Sequence, residues 1–360
     1  MMRKIFLLVV LLCWGMMGFT QDGVNFEHLS FKEALNKAQT ENKLVFVDCY
    51  TSWCGPCRNM TEHIFPQEKV GDYFNSKFVC VKYDMEKGEG PELSKRFGVR
   101  AYPTFLVLRA DGTLIHKLVG GRDADGIIRS VEEAFDASKA SGALEESYRA
   151  GQRDKDFLLN YLKSLISFYD PQMAVVAGEL IKQLDDKEKV SEKYWFLFSN
   201  SKLSPAGSDI EKYLLKNYKS FCKSVGEEKV SKEVEKRYAE RLMRVFKKEE
   251  SITERQLKAL GREIASLRLA NNGDLQSYVK IARGEQEGLT ALVDVCEKEF
   301  LHIKTLEVPY IQFYDRVMKE GTPEEGKRWI VLGEKLYDVT KDEQMKKIIK
   351  FCLDFYKKQN

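Results

Sequence analysis

The 360-residue chain has little proline, little cysteine, four histidines and almost no net charge. Its 58 lysine and arginine residues nearly balance 55 aspartate and glutamate residues, which leaves a formal charge of +3. Binding to a nucleic-acid backbone usually needs a much larger basic excess, so no nucleic acid is expected as a partner. Eight cysteines in a chain of this length are too few for a disulfide-stapled scaffold. The 43% hydrophobic content is enough for a sizeable core, and the length favours two domains.

Long hydrophobic runs are also missing, with one exception at the N-terminus. Two basic residues there precede an uncharged stretch from Ile5 to Gln21, whose apolar part ends near Phe19. This pattern is typical of a secretory signal peptide, which we expect to span residues 1–20. The alternative is an uncleaved anchor helix, which the shortness of the apolar run disfavours. The mature chain is therefore expected in the periplasm of a two-membrane bacterium, where thiols tend to be oxidised.

Residues 21–137 alternate between helical and strand-like segments. Ser30 is a predicted N-cap, with Glu33 three residues later as its capping-box partner. The turn residues Ala110-Asp111-Gly112 predict a hairpin. The predicted order is α-β-α-β-α-β-β-α. The main segments are a helix at 30–42, strands at 43–50 and 77–85, a helix at 91–97, strands at 104–109 and 114–119, and a helix at 123–138.

Residues 138–360 follow a different pattern. They hold half of the 24 glycines and four of the eight prolines, and most segments have helical periodicity, which predicts an all-α domain of antiparallel helical hairpins. The run Trp329-Ile330-Val331-Leu332-Gly333 resembles the start of a tetratricopeptide repeat, although Leu336 stands where that repeat has a tyrosine. A solenoid-like stack and an irregular bundle both remain open. The sequence assigns no chemistry here, but this domain could bind an unknown protein partner.

The motif Trp53-Cys54-Gly55-Pro56-Cys57 lies between a predicted buried strand and a helix. Cys54 at a helix N-terminus has free N–H groups and the positive end of the helix dipole nearby, which favour a thiolate. Cys54 is therefore the predicted nucleophile in disulfide exchange, and Cys57, one turn later, is placed to resolve the mixed disulfide. Zinc binding is the main alternative, but it needs two more ligands and the four histidines form no close pair. Cys80 could be a third ligand, although its strand position favours simple burial. We expect neither a metal nor a cofactor.

Two stretches resemble the thioredoxin family. The run from Val47 to Cys57 is similar to that family's active-site stretch, and Tyr102-Pro103-Thr104 is similar to its cis-proline loop. The resemblance covers about residues 26–137. It implies an α/β thioredoxin fold, in which a central mixed sheet is flanked by helices.

The same resemblance implies roles for individual residues. Asp48 would be the buried carboxylate that shuttles the proton of Cys57, with Lys82 close to it. Pro103 would be cis and lie against the cysteine pair, and the backbone of Tyr102 would pair with an extended substrate. The residues expected to contact substrate are Trp53, Gly55, Pro56, Tyr102, Thr104 and Gly120, with Gly121 beside them.

The stretch after the motif, with Ile64-Phe65-Pro66, resembles the exported thioredoxin-like domain of membrane thiol:disulfide interchange proteins. This resemblance implies a location in the cell envelope and leaves the direction of electron flow open. We expect a periplasmic oxidoreductase that acts on disulfides of exported proteins. A dithiol outside the cytoplasm needs an electron source, for which we expect a membrane thiol carrier. Reduction is favoured because reducing members of the family carry Gly-Pro between their cysteines. The alternatives are a disulfide oxidase or isomerase, and a redox-active binding protein whose helical domain recruits a partner.

The remaining cysteines are expected to have no catalytic role. Cys13 falls within the predicted signal peptide. Five others are interpreted as packing residues, of which at most one pair is bonded: Cys49, Cys80, Cys222, Cys296 and Cys352.

Overall fold

The computed structural model describes residues 23–359 apart from 268 and 270, with side chains as far as 356. The predicted signal peptide and Cys13 therefore lie outside the described residues. The chain forms two compact units that divide between Gln183 and Leu184. No helix in the described part of the chain is both long enough and apolar enough to cross a membrane.

The first unit is built on a five-stranded mixed sheet, which confirms the predicted fold class. The sheet order is β1-β3-β2-β4-β5, with β2 parallel to β3 and antiparallel to β4. The strands are β1 Phe26–Glu27, β2 Leu44–Tyr50, β3 Phe78–Asp84, β4 Thr104–Leu108 and β5 Leu114–Val119. The helices are α1 Phe31–Glu41, α2 Gly55–Asn59, α3 Glu68–Lys77, α4 Gly90–Phe97 and α5 Ala124–Glu132.

Local sequence signals account for the edges of several elements. The side chains of Ser30 and Glu33 form the predicted capping box at the start of α1. Gly112 adopts a φ of 82° in the β4–β5 turn, and a residue with a Cβ would be strained in that conformation. The N–H of Thr113 donates to Asp111 Oδ1 at 2.8 Å, which closes the turn.

Two details of the first unit, the strand β1 and the end of α5, differ from the sequence-based expectations. The strand β1 was not predicted, because it has two residues and is held by pairing with β3. The helix expected at 123–138 ends at Glu132 and continues as the 3₁₀ turn Glu133–Phe135. A π-helical turn, Met60–Ile64, follows α2 before the chain reaches Pro66.

Apolar side chains fill both faces of the sheet. On one face Phe46 stacks on Phe105 with ring centroids 5.6 Å apart, and Met60 and Ile64 of the π-helical turn pack into the same cluster. The opposite face buries a second cluster around Val47, against α1 and α4. The stretch that follows the cysteine motif is thus anchored on the first of these faces.

Three further helices complete the first unit: α6 Ser141–Arg149, α7 Lys155–Ser167 and α8 Met173–Gln183. Helix α6 packs against the edge strand β5. The N–H of Ser141 donates to His116 Nδ1 at 3.1 Å, and the N–H of Lys117 donates to Ser141 Oγ at 3.0 Å. These bonds give polar partners to an otherwise open sheet edge. The compact unit therefore extends beyond residue 138, where the sequence pattern changes.

The second unit is helical in its described part, as expected for the C-terminal region. Most pairs of consecutive helices pack together. In addition, the helix Glu227–Phe246 contacts Asn272–Glu287, Leu289–Glu299 contacts Pro323–Val339, and Tyr310–Glu320 contacts Glu343–Gln359. Contacts to the next helix and to the next but one are typical of stacked hairpins; the repeat itself remains a prediction. The helices are α9 Asp186–Lys189, α10 Trp195–Ser199, α11 Asp209–Lys216, α12 Tyr218–Val225, α13 Glu227–Phe246, α14 Glu254–Leu267, α15 Asn272–Glu287, α16 Leu289–Glu299, α17 Tyr310–Glu320, α18 Pro323–Val339 and α19 Glu343–Gln359.

Candidate active site

The two motif cysteines lie where the chain leaves β2 and enters α2. Cys54 is the N-cap of α2 and forms a disulfide with Cys57, with an S–S distance of 2.01 Å. The N–H of Cys57 donates to Cys54 Sγ at 3.1 Å. An N–H aimed at this sulfur also stabilises a thiolate there once the disulfide is reduced. Pro56 lies in the first turn of α2, where a missing N–H leaves no hydrogen bond unmade.

Trp53 forms the exposed edge of the site. The residue is 63% exposed, while Cys54 and Cys57 are each only 3% exposed. Trp53 Nε1 donates to Glu86 Oε1 at 3.0 Å, and the indole meets the ring of Tyr102 edge-on with centroids 5.9 Å apart. These contacts fix an apolar surface beside the buried disulfide.

The Tyr102–Pro103 peptide bond is cis, and the loop that contains it is tied to the β5–α5 loop. The N–H of Gly120 donates to the carbonyl of Pro103 at 2.8 Å. Gly120 has a φ of 91°, which a residue with a side chain rarely adopts. Thr104 is fully buried, and its hydroxyl donates to the carbonyl of Ala101 at 2.7 Å. The structure therefore places Thr104, one of the expected substrate contacts, below the surface of this loop.

Asp48 is 1% exposed in the middle of β2. Its register partners are Lys82 on β3 and Phe105 on β4. Among the described residues Asp48 Oδ1 has no hydrogen-bond partner. Burial raises the pKa of the Asp48 carboxyl to about 7, and the positive charge of Lys82 opposes part of this rise. A carboxyl with this pKa can accept and release a proton near neutral pH.

The other described cysteines are all free, and four of them are buried. Burial raises the pKa of both the Cys49 and the Cys80 thiol, which disfavours the reactive thiolate. Cys222 is half-buried. In the part of the chain that the structure describes, no three His, Cys, Asp or Glu side chains are grouped closely enough to hold a metal ion.

Sequence reasoning missed three residues that shape the site. Glu86 holds the Trp53 indole from 33 positions away. Met60 Sδ accepts the N–H of Arg122 at 3.3 Å, and Arg122 Nη1 donates to the carbonyl of Gly120 at 2.8 Å. These contacts join loops that are distant in sequence, and no local motif marks them.

The Thioredoxin family profile matches residues 24–133 of the chain. Thioredoxin H4 of Arabidopsis thaliana is 40% identical over 91 residues, which cover 25% of this chain and 71% of that protein. The chain belongs to the thioredoxin family. The first curated relatives of this thioredoxin-family chain are matched over only part of their length, 34% of one and 60% of the next.

Solved structures similar to this thioredoxin-family chain match the same region. A proposed disulphide-isomerase from Bacteroides thetaiotaomicron is 48% identical, with a TM-score of 0.31, and the match covers 32% of this chain and 97% of that one. The oxidised C-terminal domain of DsbD from Neisseria meningitidis is 25% identical, with a TM-score of 0.27, and the match covers 31% of this chain and 98% of that one.

Proposed function

We propose that this protein is a periplasmic thiol:disulfide oxidoreductase that reduces disulfides of exported proteins through Cys54 and Cys57. The observation that carries the proposal is the cysteine pair itself: Cys54 caps α2 and its sulfur accepts the N–H of Cys57. The buried Asp48 carboxyl and the Pro103 loop supply the other parts that such an exchange needs. The relatives named thioredoxin and disulphide-isomerase support the same reaction class.

The reaction begins with both cysteines reduced. The Cys54 thiolate attacks one sulfur of a substrate disulfide, which forms a mixed disulfide and releases the other substrate sulfur as a thiolate. Cys57 then loses its proton, with Asp48 as the proposed acceptor, and attacks the Cys54 sulfur. That step releases the second substrate thiolate and forms the Cys54–Cys57 disulfide. Overall, the substrate disulfide gains two electrons from the cysteine pair.

Substitution of the resolving cysteine tests this assignment. The variant Cys57→Ser should accumulate mixed disulfides on Cys54, because the second step has lost its nucleophile. The double variant Cys57→Ser with Cys54→Ser should form no mixed disulfide. The control double variant, Cys57→Ser with Cys222→Ser, should still form mixed disulfides, because Cys222 is a half-buried free cysteine without a role in the reaction. Non-reducing gels of cell extracts followed by peptide sequencing give the readout. Adducts that persist without Cys54 would refute the mechanism.

The direction of electron flow needs a separate measurement. A reduction potential near ~−270 mV would support a reductase, and one near ~−120 mV would support an oxidase instead. The Gly-Pro pair between the cysteines motivates the reductase assignment. A reductase outside the cytoplasm needs a source of electrons, and we propose a membrane thiol carrier, which the Cys57→Ser adducts would identify together with the exported substrates.

The proposed location depends on residues 1–20. Export should remove this segment, so mass spectrometry of the protein recovered from a periplasmic extract is expected to show a mature chain that begins at Gln21. Retention of the segment in a membrane fraction would support the anchor alternative. The helical second unit is proposed to recruit a protein partner.

A further inference from the structure

A cavity of about 380 Å³ lies beside the candidate active site in the first unit. One wall is formed by β5 and the loop after it, including Val119 and Arg122. The facing wall is formed largely by helix α7. We call this space the α7 cavity. Its volume is at the lower end of the range for ligand sites and suits one or two side chains.

The loop that lines the α7 cavity also contacts the redox motif. A Cβ placed on Gly121 would lie 3.8 Å from the carbonyl oxygen of Pro56, between the two cysteines. The N–H of Arg122 donates to Met60 Sδ, and the N–H of Gly120 donates to the carbonyl of Pro103. One short loop, residues 119–122, thus lines the α7 cavity and contacts the segment that carries Cys57. An extended polypeptide bound at the disulfide would reach the cavity by crossing this loop.

Helix α7 presents a polar stripe to the cavity. Four of the residues that line it follow helical spacing, at positions i, i+3, i+4 and i+7: Asn160, Lys163, Ser164 and Ser167. The rest of the helix is largely apolar and buries residues such as Leu158 and Leu162. Lys163 makes no ion pair, and the Ser164 hydroxyl no hydrogen bond, with any residue that the structure describes. Both groups are available to a ligand.

The charge of the lining favours an anion. The residues that line the cavity include one with a carboxylate, Glu133, and four with cationic side chains, Lys117, Arg122, Lys139 and Lys163. Glu133 lies 3.8 Å from His116 Nε2, and Lys139 is paired with Asp136 at 3.5 Å. Lys163, Lys117 and Arg122 make no ion pair with any described residue, but Lys117 is buried and Arg122 Nη1 donates to the carbonyls of Val119 and Gly120. Lys163 is exposed, so its charge is the most accessible to a ligand.

His116 adds an independent sign of an incomplete site. Its side chain lines the cavity and the residue is only 3% exposed. Because Nδ1 accepts the N–H of Ser141, the neutral ring carries its proton on Nε2. Nε2 has no hydrogen-bond partner among the described residues. The Glu133 carboxylate, 3.8 Å away, is beyond hydrogen-bond distance. A buried donor without an acceptor is unfavourable, and an anion bound closer to Nε2 would offset this cost.

We infer that the α7 cavity binds an acidic side chain of the polypeptide whose disulfide is exchanged at Cys54, with Lys163 as its main charge partner. This inference rests on the proposed function. It assigns α7, which lies outside the region matched to the thioredoxin family, a role in substrate selection.

Matched peptide substrates test the inference on the full chain. Each peptide has one disulfide and one glutamate at a set distance from a cysteine, and its control has glutamine there. At one or two positions glutamate should raise kcat/KM about threefold, as expected for one exposed ion pair. Lys163→Gln should remove this preference, and Lys163→Glu should reverse it. Lys182→Glu, on the exposed surface of α8, is the matched control and should leave it unchanged.

The outcomes separate this inference from the proposed function. Failure of every peptide to react would refute the function itself. If the peptides reacted without any glutamate preference, the role of the cavity would be overturned. The same conclusion would follow if Lys182→Glu changed the preference as Lys163→Glu does. Added succinate should compete only weakly. If it abolished the preference while glutamine peptides reacted normally, the cavity would be a site for small free carboxylates, and the assignment to substrate side chains would be wrong.

Discussion

At the scale of single residues, Asp48 shows how a site can be built against stability. A carboxyl that is 1% exposed and has an oxygen without a hydrogen bond is unfavourable when it is ionised. Its position on β2, in register with Lys82, provides only partial compensation. A group that only supported the fold would be better replaced by an apolar residue, so a carboxyl at this position supports the proposed role in proton transfer.

Asp48→Asn should therefore stabilise the first unit at alkaline pH. Burial raises the carboxyl pKa from 3.8 to about 7, so between these pH values the unfolded state has lost its proton while the folded state keeps it, and the free energy of unfolding falls as the pH rises through this range. The variant should gain about 2 to 4 kcal/mol at pH ~8 and nothing below pH ~4. Urea titrations followed by thiol labelling of Cys49 and Cys80, both buried in this unit, measure the change.

The matched control for this prediction is Asp72→Asn, because Asp72 is an exposed carboxylate on α3. It should change the free energy of unfolding by a few tenths of a kcal/mol at most. A gain at Asp48 that is independent of pH would show that ionisation is not its cause.

Residues with a local motif could be predicted from the sequence, and residues that act through distant contacts could not. Cys54 and Pro103 stand in recognisable stretches, and the structure places both at the candidate site. Glu86 and Arg122 reach the site only because the fold brings their loops to it.

At the scale of elements, prediction succeeded where the signal lies within the element. The capping box of α1, the strands β2 and β3 and the β4–β5 turn all follow from local patterns. The two-residue strand β1 has no such pattern, since its pairing with β3 defines it. The hydrophobic periodicity likewise does not mark the early end of α5.

The contact of α6 with β5 gives a second stability prediction. A Cβ on Gly142 would lie 2.2 Å from the carbonyl oxygen of Leu114, so Gly142→Ala must push α6 away from the sheet edge. We expect a loss of about 1 to 3 kcal/mol in the free energy of unfolding, measured by urea titration. The matched control is Gly178→Ala on α8, where a Cβ meets nothing within 4 Å. It should gain up to about 1 kcal/mol from helix propensity. Equal effects at the two positions would contradict the close approach.

At the scale of the whole molecule, the sequence pattern changes at one position and the first compact unit ends at another. The pattern changes near residue 138, and the family match ends at residue 133. The first compact unit nevertheless ends at Gln183. The difference arises because α6 has its first-turn N–H bonded to His116 on the edge strand. A switch from α/β to all-helical periodicity reveals a change of architecture. The position where the compact unit ends depends on tertiary contacts, which periodicity does not encode.

We therefore expect residues 23–183 to behave as the smallest stable redox unit and residues 23–137 to be less stable. The shorter piece leaves the N–H of Lys117 and Nδ1 of His116 without their Ser141 partners and uncovers the edge of the sheet. Its free energy of unfolding in urea should be lower by roughly 2 to 4 kcal/mol. Two hydrogen bonds are lost, and the apolar surface that packs around Leu144 in the longer piece becomes exposed. Both pieces retain Cys54 and Cys57 and should exchange disulfides with glutamine peptides while folded. Equal stability of the two pieces would show that α6, α7 and α8 are an appendage to the redox unit and do not belong to its folding core.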